Sequence, residues 1–262
     1  MARLGTLTPP AANTTSTHAA ALRSGGRPTR RDLIQPGIEA VKKNWAVMLI
    51  LQAVALLLVI GYYHVPIVTS ICTRLSEIRT ATGYLGAAVA TAVAGVALPK
   101  LVRLLLRQPL AEPGQTLVGE AVFLSTLFGI NGVMVDAFYR LLAVWFGDGT
   151  GLAQVLPKVA MDQLVFTPVL ALPFIAGCFT LRDHGYRFGP ALRELGVAWY
   201  FKRVVALMLP GWCYWTPMVM LIYSLPGPLQ FVLFAFAIAA WSVVMVFIGE
   251  STRIRTGVAL AE

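Results

Sequence analysis

Six stretches of this chain approach the roughly 20 apolar residues that an α-helix needs to cross a hydrocarbon core of about 30 Å. They run from Trp45 to Tyr63, Tyr84 to Leu106, Leu117 to Val135 continuing to Phe146, Gln163 to Leu181, Val204 to Tyr223, and Leu229 to Gly249. Blocks of this length restrict the fold to an all-α, polytopic transmembrane helical bundle of four to six spans, with six favoured. The composition agrees: 57% of residues are hydrophobic, 13% are charged and the mean hydropathy is +0.72. Soluble domains carry about a quarter charged residues, so too little charge remains here to coat a soluble particle.

The formal charge of +9 sits between the apolar blocks and forms no continuous basic face, which points to membrane orientation and away from nucleic acid. With six spans, seventeen Lys and Arg residues fall on one side, counting both termini. Arg74, Arg79, Arg140 and Lys158 fall on the other. The positive-inside rule therefore places both termini on the cytoplasmic or matrix-like side. The fifth block is the least regular, because Pro210, Gly211 and Pro217 interrupt it. It reads either as a kinked span or as an interfacial segment followed by half a span.

Three regions follow from this pattern: a tail over residues 1–44, a bundle over 45–249 and a short C-terminal tail over 250–262. Met1 to Arg31 is rich in Ala, Thr, Ser, Pro and Arg and has no acidic residue. It reads as a disordered basic tail; a mitochondrial transit peptide shares the bias, but Pro9-Pro10 and Gly25-Gly26 interrupt an amphipathic helix. Cys72, Cys178 and Cys213 are too widely spaced for a zinc site or a disulfide framework.

Small residues at Gly83, Gly86, Ala87, Ala90, Thr91, Ala94 and Gly95 form rows that let a neighbouring helix approach closely. Packing is their first reading and pore lining the second. Pro99 is expected to end the row in a kink, and Lys100 and Arg103 to snorkel to the headgroups.

Polar residues inside apolar blocks carry the functional signal, because a charge at the membrane centre costs about 2.5 to 3.5 kcal/mol on insertion scales and usually faces a cavity or bundle interior. Asn131, Asp136 and Arg140 interrupt the third block, with Asp136 and Arg140 one turn apart on one face. Two readings stand open: the pair lines a cavity, or it is a solvated cap at the interface. Lys158, Asp162 and Gln163 open the fourth block, where an Asp at a helix N-terminus is favoured by the macrodipole. Asn131, Asp136, Arg140, Asp162 and Gln163 are thus the candidate cavity-lining residues. His64 and His184 have no further ligands arranged around them, so no metal centre is expected. The nucleophile, zinc and nucleotide signatures of common enzymes are absent, and the chain reads as no enzyme, requiring no cofactor.

The order of several short motifs resembles a known family. Gly132-Val133-Met134-Val135-Asp136-Ala137-Phe138-Tyr139 is similar to the G-P-x-x-H-x-W-Y motif of the peroxisomal membrane protein and Mpv-seventeen family. Lys158 to Gln163, with Phe166 and Pro168, resembles its K-x-x-x-D-Q-x-x-F-x-P segment. Trp215-Thr216-Pro217, Leu225-Pro226 and Trp241-Ser242 resemble its W-P, V-P and closing W-N/S elements. The likeness covers roughly Leu117 to Gly249. Val133, Asp136 and Phe138 depart from the first motif, Gln230 stands where an arginine is usual, and Trp45 to Tyr63 is an extension of a family usually drawn with four spans.

The resemblance implies an integral membrane protein of peroxisomes, the mitochondrial inner membrane or the vacuole, with channel-like passage of small solutes proposed for some members. A bacterial inner membrane also fits the sequence. The expected partners are the lipid bilayer, a small-molecule solute and, compatible with the small-residue rows, a second copy of the chain. The rival reading is a structural or assembly protein whose polar groups only hold helices together.

Overall fold

The computed structural model describes residues 30–105, 107, 109–111 and 114–255, with side chains described between 38 and 244. The tail over residues 1–29, with its transit-peptide alternative, and the last residues 256–262 lie outside the described residues. The described residues are helical and contain no strand. In chain order the helices are α1 (Arg30–His64), α2 (Pro66–Leu105), α3 (Leu117–Phe146), α4 (Leu152–Asp183), the short α5 (Phe188–Glu194), α6 (Val197–Tyr223) and α7 (Gly227–Arg255). Helix therefore begins at Arg30, inside the stretch assigned above to the tail, and runs on to Arg255 at the other end.

Six helices, all but α5, contain segments long and apolar enough to cross a membrane. Their outward faces carry exposed Leu49, Ile50, Leu57, Val89, Val93, Val169 and other large apolar side chains. A water-soluble chain does not display apolar surface on this scale; the chain is an integral membrane protein whose outer surface is wetted by lipid. The interior is closed by α6 and α7, where Tyr214, Met218, Ile222, Leu229, Leu233 and Ala237 are almost wholly buried. The Tyr214 hydroxyl donates to the Ala237 carbonyl at 2.9 Å.

Two features of α2 determine how it meets α3. The helix departs from helical geometry at Gly83, with φ 55°, a conformation that L side chains adopt rarely and glycine freely. The break therefore lies at Gly83, and Pro99, where a kink was expected, sits buried within continuous helix. Beyond Gly83 the small-residue row packs on α3 as expected. Thr91 Oγ1 donates to the Phe128 carbonyl at 2.8 Å, and a Cβ added at Gly132 would lie 2.0 Å from that same oxygen. Lys100 does not snorkel outward. It turns to Glu120 at 3.1 Å and to the Leu110 carbonyl at 2.8 Å, because a buried carboxylate at the start of α3 offers it a charged partner.

The prolines of α4 and α6 show how the bundle tolerates missing N–H donors. Residues 162–171 of α4 wind as a π-helix, in which each N–H bonds the carbonyl five residues back. Pro168 has no N–H, which leaves the Gln163 carbonyl free, and Trp212 Nε1 of α6 donates to it at 3.0 Å. Pro173 likewise frees the Pro168 carbonyl, which accepts from the Tyr200 hydroxyl at 2.9 Å. In α6, Pro217 frees the Cys213 carbonyl, and Gln52 of α1 donates to it at 3.3 Å. α6 runs as one helix from Val197 to Tyr223 through both Pro210 and Pro217 and qualifies as a full candidate span. The kinked-span reading of that block requires such a continuous helix.

Gly132→Val is expected to force α2 and α3 apart and to destabilise the protein by about 1–3 kcal/mol, the usual cost of overpacking. Gly177→Ala, which adds a methyl group into open space, is expected to be neutral. Thermal denaturation of both variants in detergent distinguishes the two outcomes.

Candidate functional site

Asp136 and Asp162 reach the same depth from opposite directions. Each lies ten residues along its helix from the turn that joins α3 to α4, or about 15 Å at 1.5 Å per residue. Asp162 is consequently a mid-helix residue. Its reading as an N-terminal cap fails because α4 begins at Leu152, a full ten residues earlier.

Asp136 is buried, at 6% exposure, and is held by two guanidinium groups. Arg140 Nε donates to Oδ2 at 2.9 Å, one turn along the same helix. Arg79, from the segment of α2 before Gly83, pairs with Oδ1. The Arg140 guanidinium lies over the Tyr84 ring at 4.8 Å and that of Arg79 over Phe231 at 5.7 Å. The two arginines, Asp136 and Gln230 are among the residues that line a cavity of about 200 Å³. A solvated cap would leave the carboxylate exposed, so Asp136 belongs to the cavity reading, while Arg140 is half-exposed at its edge.

Around Asp162 the partners are neutral. Tyr223 donates to Oδ2 at 2.6 Å and Gln163 Nε2 to Oδ1 at 2.9 Å. Thr216 of α6 donates to Gln163 Oε1 at 3.5 Å. The π-helical winding that starts at Asp162 places both adjacent residues inside, at 6% and 5% exposure. Together with Asn131 they border a second cavity of about 70 Å³. Among the described residues Asn131 Oδ1 is buried without a hydrogen-bond partner. The walls are mostly apolar and aromatic, and Asn131, Asp162 and Gln163 belong to their polar part, where a water would supply that donor. Lys158 is also buried, one turn before Asp162, but makes no ion pair with it among the described residues.

Val135, Tyr139 and Phe234 belong to the walls of both cavities. Tyr139 stacks near Tyr223 at 4.9 Å and near Phe234 at 5.5 Å. The two spaces thus lie side by side with an aromatic partition between them, and do not merge into one open passage. All five sequence candidates border one cavity or the other: Asp136 and Arg140 the larger, Asn131, Asp162 and Gln163 the smaller.

Sequence reasoning missed Arg79, which counted only as a basic residue between spans, together with Tyr223, Tyr139 and Trp212. The signal for Arg79 was its position four residues before Gly83, at the edge of an apolar block. The tyrosines and Trp212 gave none, since an aromatic residue in a span is ordinary. The five motifs converge on this interior. Phe138 stacks on Phe166 at 4.2 Å, and Trp215 and Trp241 both line the smaller cavity. No protein-family model, curated protein or solved structure matches the chain.

The cluster has three members, so replacing two of them does not remove its charge. Removing one partner of a buried pair costs about 3 to 5 kcal/mol because the other charge stays uncompensated, whereas an exposed pair is worth about 0 to 1 kcal/mol. Asp136→Asn, which leaves both guanidinium groups without their carboxylate, should therefore destabilise strongly, whereas Arg79→Gln and Arg140→Gln each leave Asp136 with one partner and should cost less, the half-exposed Arg140 about 1 kcal/mol or less. Asp136→Asn combined with Arg140→Gln still leaves Arg79 unpaired. The triple replacement with Arg79→Gln should recover more stability than that double, as measured by thermal denaturation of the purified variants.

Proposed function

We propose that this chain is a transport-related, channel-like membrane protein that passes small polar solutes between the two cavities of its bundle. The observation that carries the reading is the placement of Asp136 with Arg79 and Arg140 in a cavity that shares its wall with a second one, bordered by Asp162, Gln163 and Asn131. A buried charged cluster is expensive in a membrane and is characteristic of solute and ion pathways. Tyr139, which separates the spaces, is positioned to act as the gate between them. The protein moves a solute without chemically changing it.

The motif order described above supports placing the chain with the peroxisomal membrane protein and Mpv-seventeen family, and hence in an organelle membrane such as the mitochondrial inner or peroxisomal membrane. The second reading is an assembly protein without transport activity. It is favoured by the α4–α6 contacts, where Trp212, Tyr200 and Thr216 join helices through hydrogen bonds that need no solute.

Purified protein in liposomes should release entrapped small polar solutes faster than empty vesicles, and Tyr139→Ala should raise that rate by opening the partition. Permeability equal to empty vesicles for both proteins would leave the assembly reading standing.

A further inference from the structure

We infer that the larger cavity is a binding site for a solute carrying one oxyanion group, a carboxylate or a phosphate, held by Arg79 and Arg140. The inference rests on the transport reading and gives it a substrate class.

Charge comes first. One carboxylate, Asp136, is shared by two guanidinium groups, so the buried cluster carries one positive charge in surplus. A surplus charge in a low-dielectric interior is stabilised by an incoming anion and not by a neutral solute. Donors come second. A guanidinium has five N–H groups, and Arg79 Nε is buried with no acceptor. An unsatisfied buried donor is costly, and an oxyanion in the cavity supplies the missing acceptor in the planar geometry that arginine matches best.

Orientation and size agree. The guanidinium groups of Arg140 and Arg79 lie over the Tyr84 and Phe231 rings, contacts that favour keeping both at the cavity wall. The cavity volume of about 200 Å³ exceeds that of an engineered cavity of about 150 Å³ known to take benzene, so a short-chain carboxylate or a phosphate fits. The facing titratable groups are few. Asp148 also lines this cavity, is exposed, and makes no ion pair with either arginine among the described residues. Its carboxylate brings the cavity wall as a whole to charge balance, so the surplus is local to the two guanidinium groups, and a polyanion is disfavoured.

The same chemistry is offered by a soluble anion and by a phospholipid headgroup, and the test separates them. The full chain in neutral detergent is titrated with sodium phosphate, sodium butyrate or sodium chloride at constant ionic strength, and thermal unfolding is followed. A parallel titration uses phosphatidylglycerol. The expected result is a saturable rise in Tm with phosphate or butyrate and none with chloride. Arg140→Gln should raise the half-saturating concentration at least tenfold, and Arg140→Lys should fall between. Asp136→Asn should lower it, because the vacated guanidinium groups no longer share their donors with a resident carboxylate; a purely structural cluster has no reason to respond in that direction. If Asp136→Asn does not fold, the Arg140 series alone decides. Equal responses to all three salts, or an undiminished response in Arg140→Gln, would overturn the inference. A response to phosphatidylglycerol alone would overturn it too, assigning the site to lipid. Vesicle flux of neutral solutes without any anion response sinks only this inference, whereas arginine-dependent anion binding without flux sinks only the transport reading.

Discussion

In an apolar surround a backbone carbonyl that loses its N–H partner has no water to turn to, and the arrangement of α1, α4 and α6 depends on how that demand is met. Pro168, Pro173 and Pro217 each release one carbonyl, and each is capped by a side chain from another helix: Trp212, Tyr200 and Gln52. The prolines therefore act as sites of attachment as well as interruptions. Each cap ties two helices at a defined depth, so the relative positions of the helices follow from where the prolines fall in the chain.

The polar interior inherits its geometry from those attachments. Trp212 docks on the Gln163 carbonyl, one residue after Asp162, and this brings Tyr223 within 2.6 Å of the Asp162 carboxylate at the far end of α6. On the other side of Tyr139, the close approach of α2 to α3 through Thr91 and Gly132 allows the chain before Gly83 to deliver Arg79 to Asp136. The turn at Gly83 matters here because a straight helix of 40 residues would be about 60 Å long and would carry its first half past a core about 30 Å thick. Two different packing devices thus set two polar groups at one level of the bundle.

The bundle itself was legible because long apolar blocks leave few alternatives, and Asp136 with Arg140 was legible because their spacing is local. Asn131, Asp162 and Gln163 were also visible as polar residues in apolar blocks. What they touch was not. Arg79 meets Asp136 across 57 positions of chain, and no local pattern encodes that contact. Asp162 looked like a helix cap because the apolar block begins beside it. The helix itself begins earlier, at Leu152, in a stretch that contains Pro157 and Lys158 and so lacks continuous hydrophobicity. A kink was assigned to Pro99 on the general behaviour of proline; the departure from helical geometry lies at Gly83, which alone in that helix adopts a positive φ.

The transport reading requires that water reach the space beside Asp136 although it lies among helices long and apolar enough to cross a membrane. Accessibility of single cysteines tests this directly, in a background where Cys72, Cys178 and Cys213 are replaced. Gln230→Cys lines the cavity, and Val93→Cys lies on the outer, lipid-facing surface at 59% exposure. With a charged, membrane-impermeant maleimide on protein in lipid vesicles, the account predicts fast labelling at position 230 and none at 93. Failure to label position 230 from either side of the membrane would contradict it and make the charged cluster a packing device.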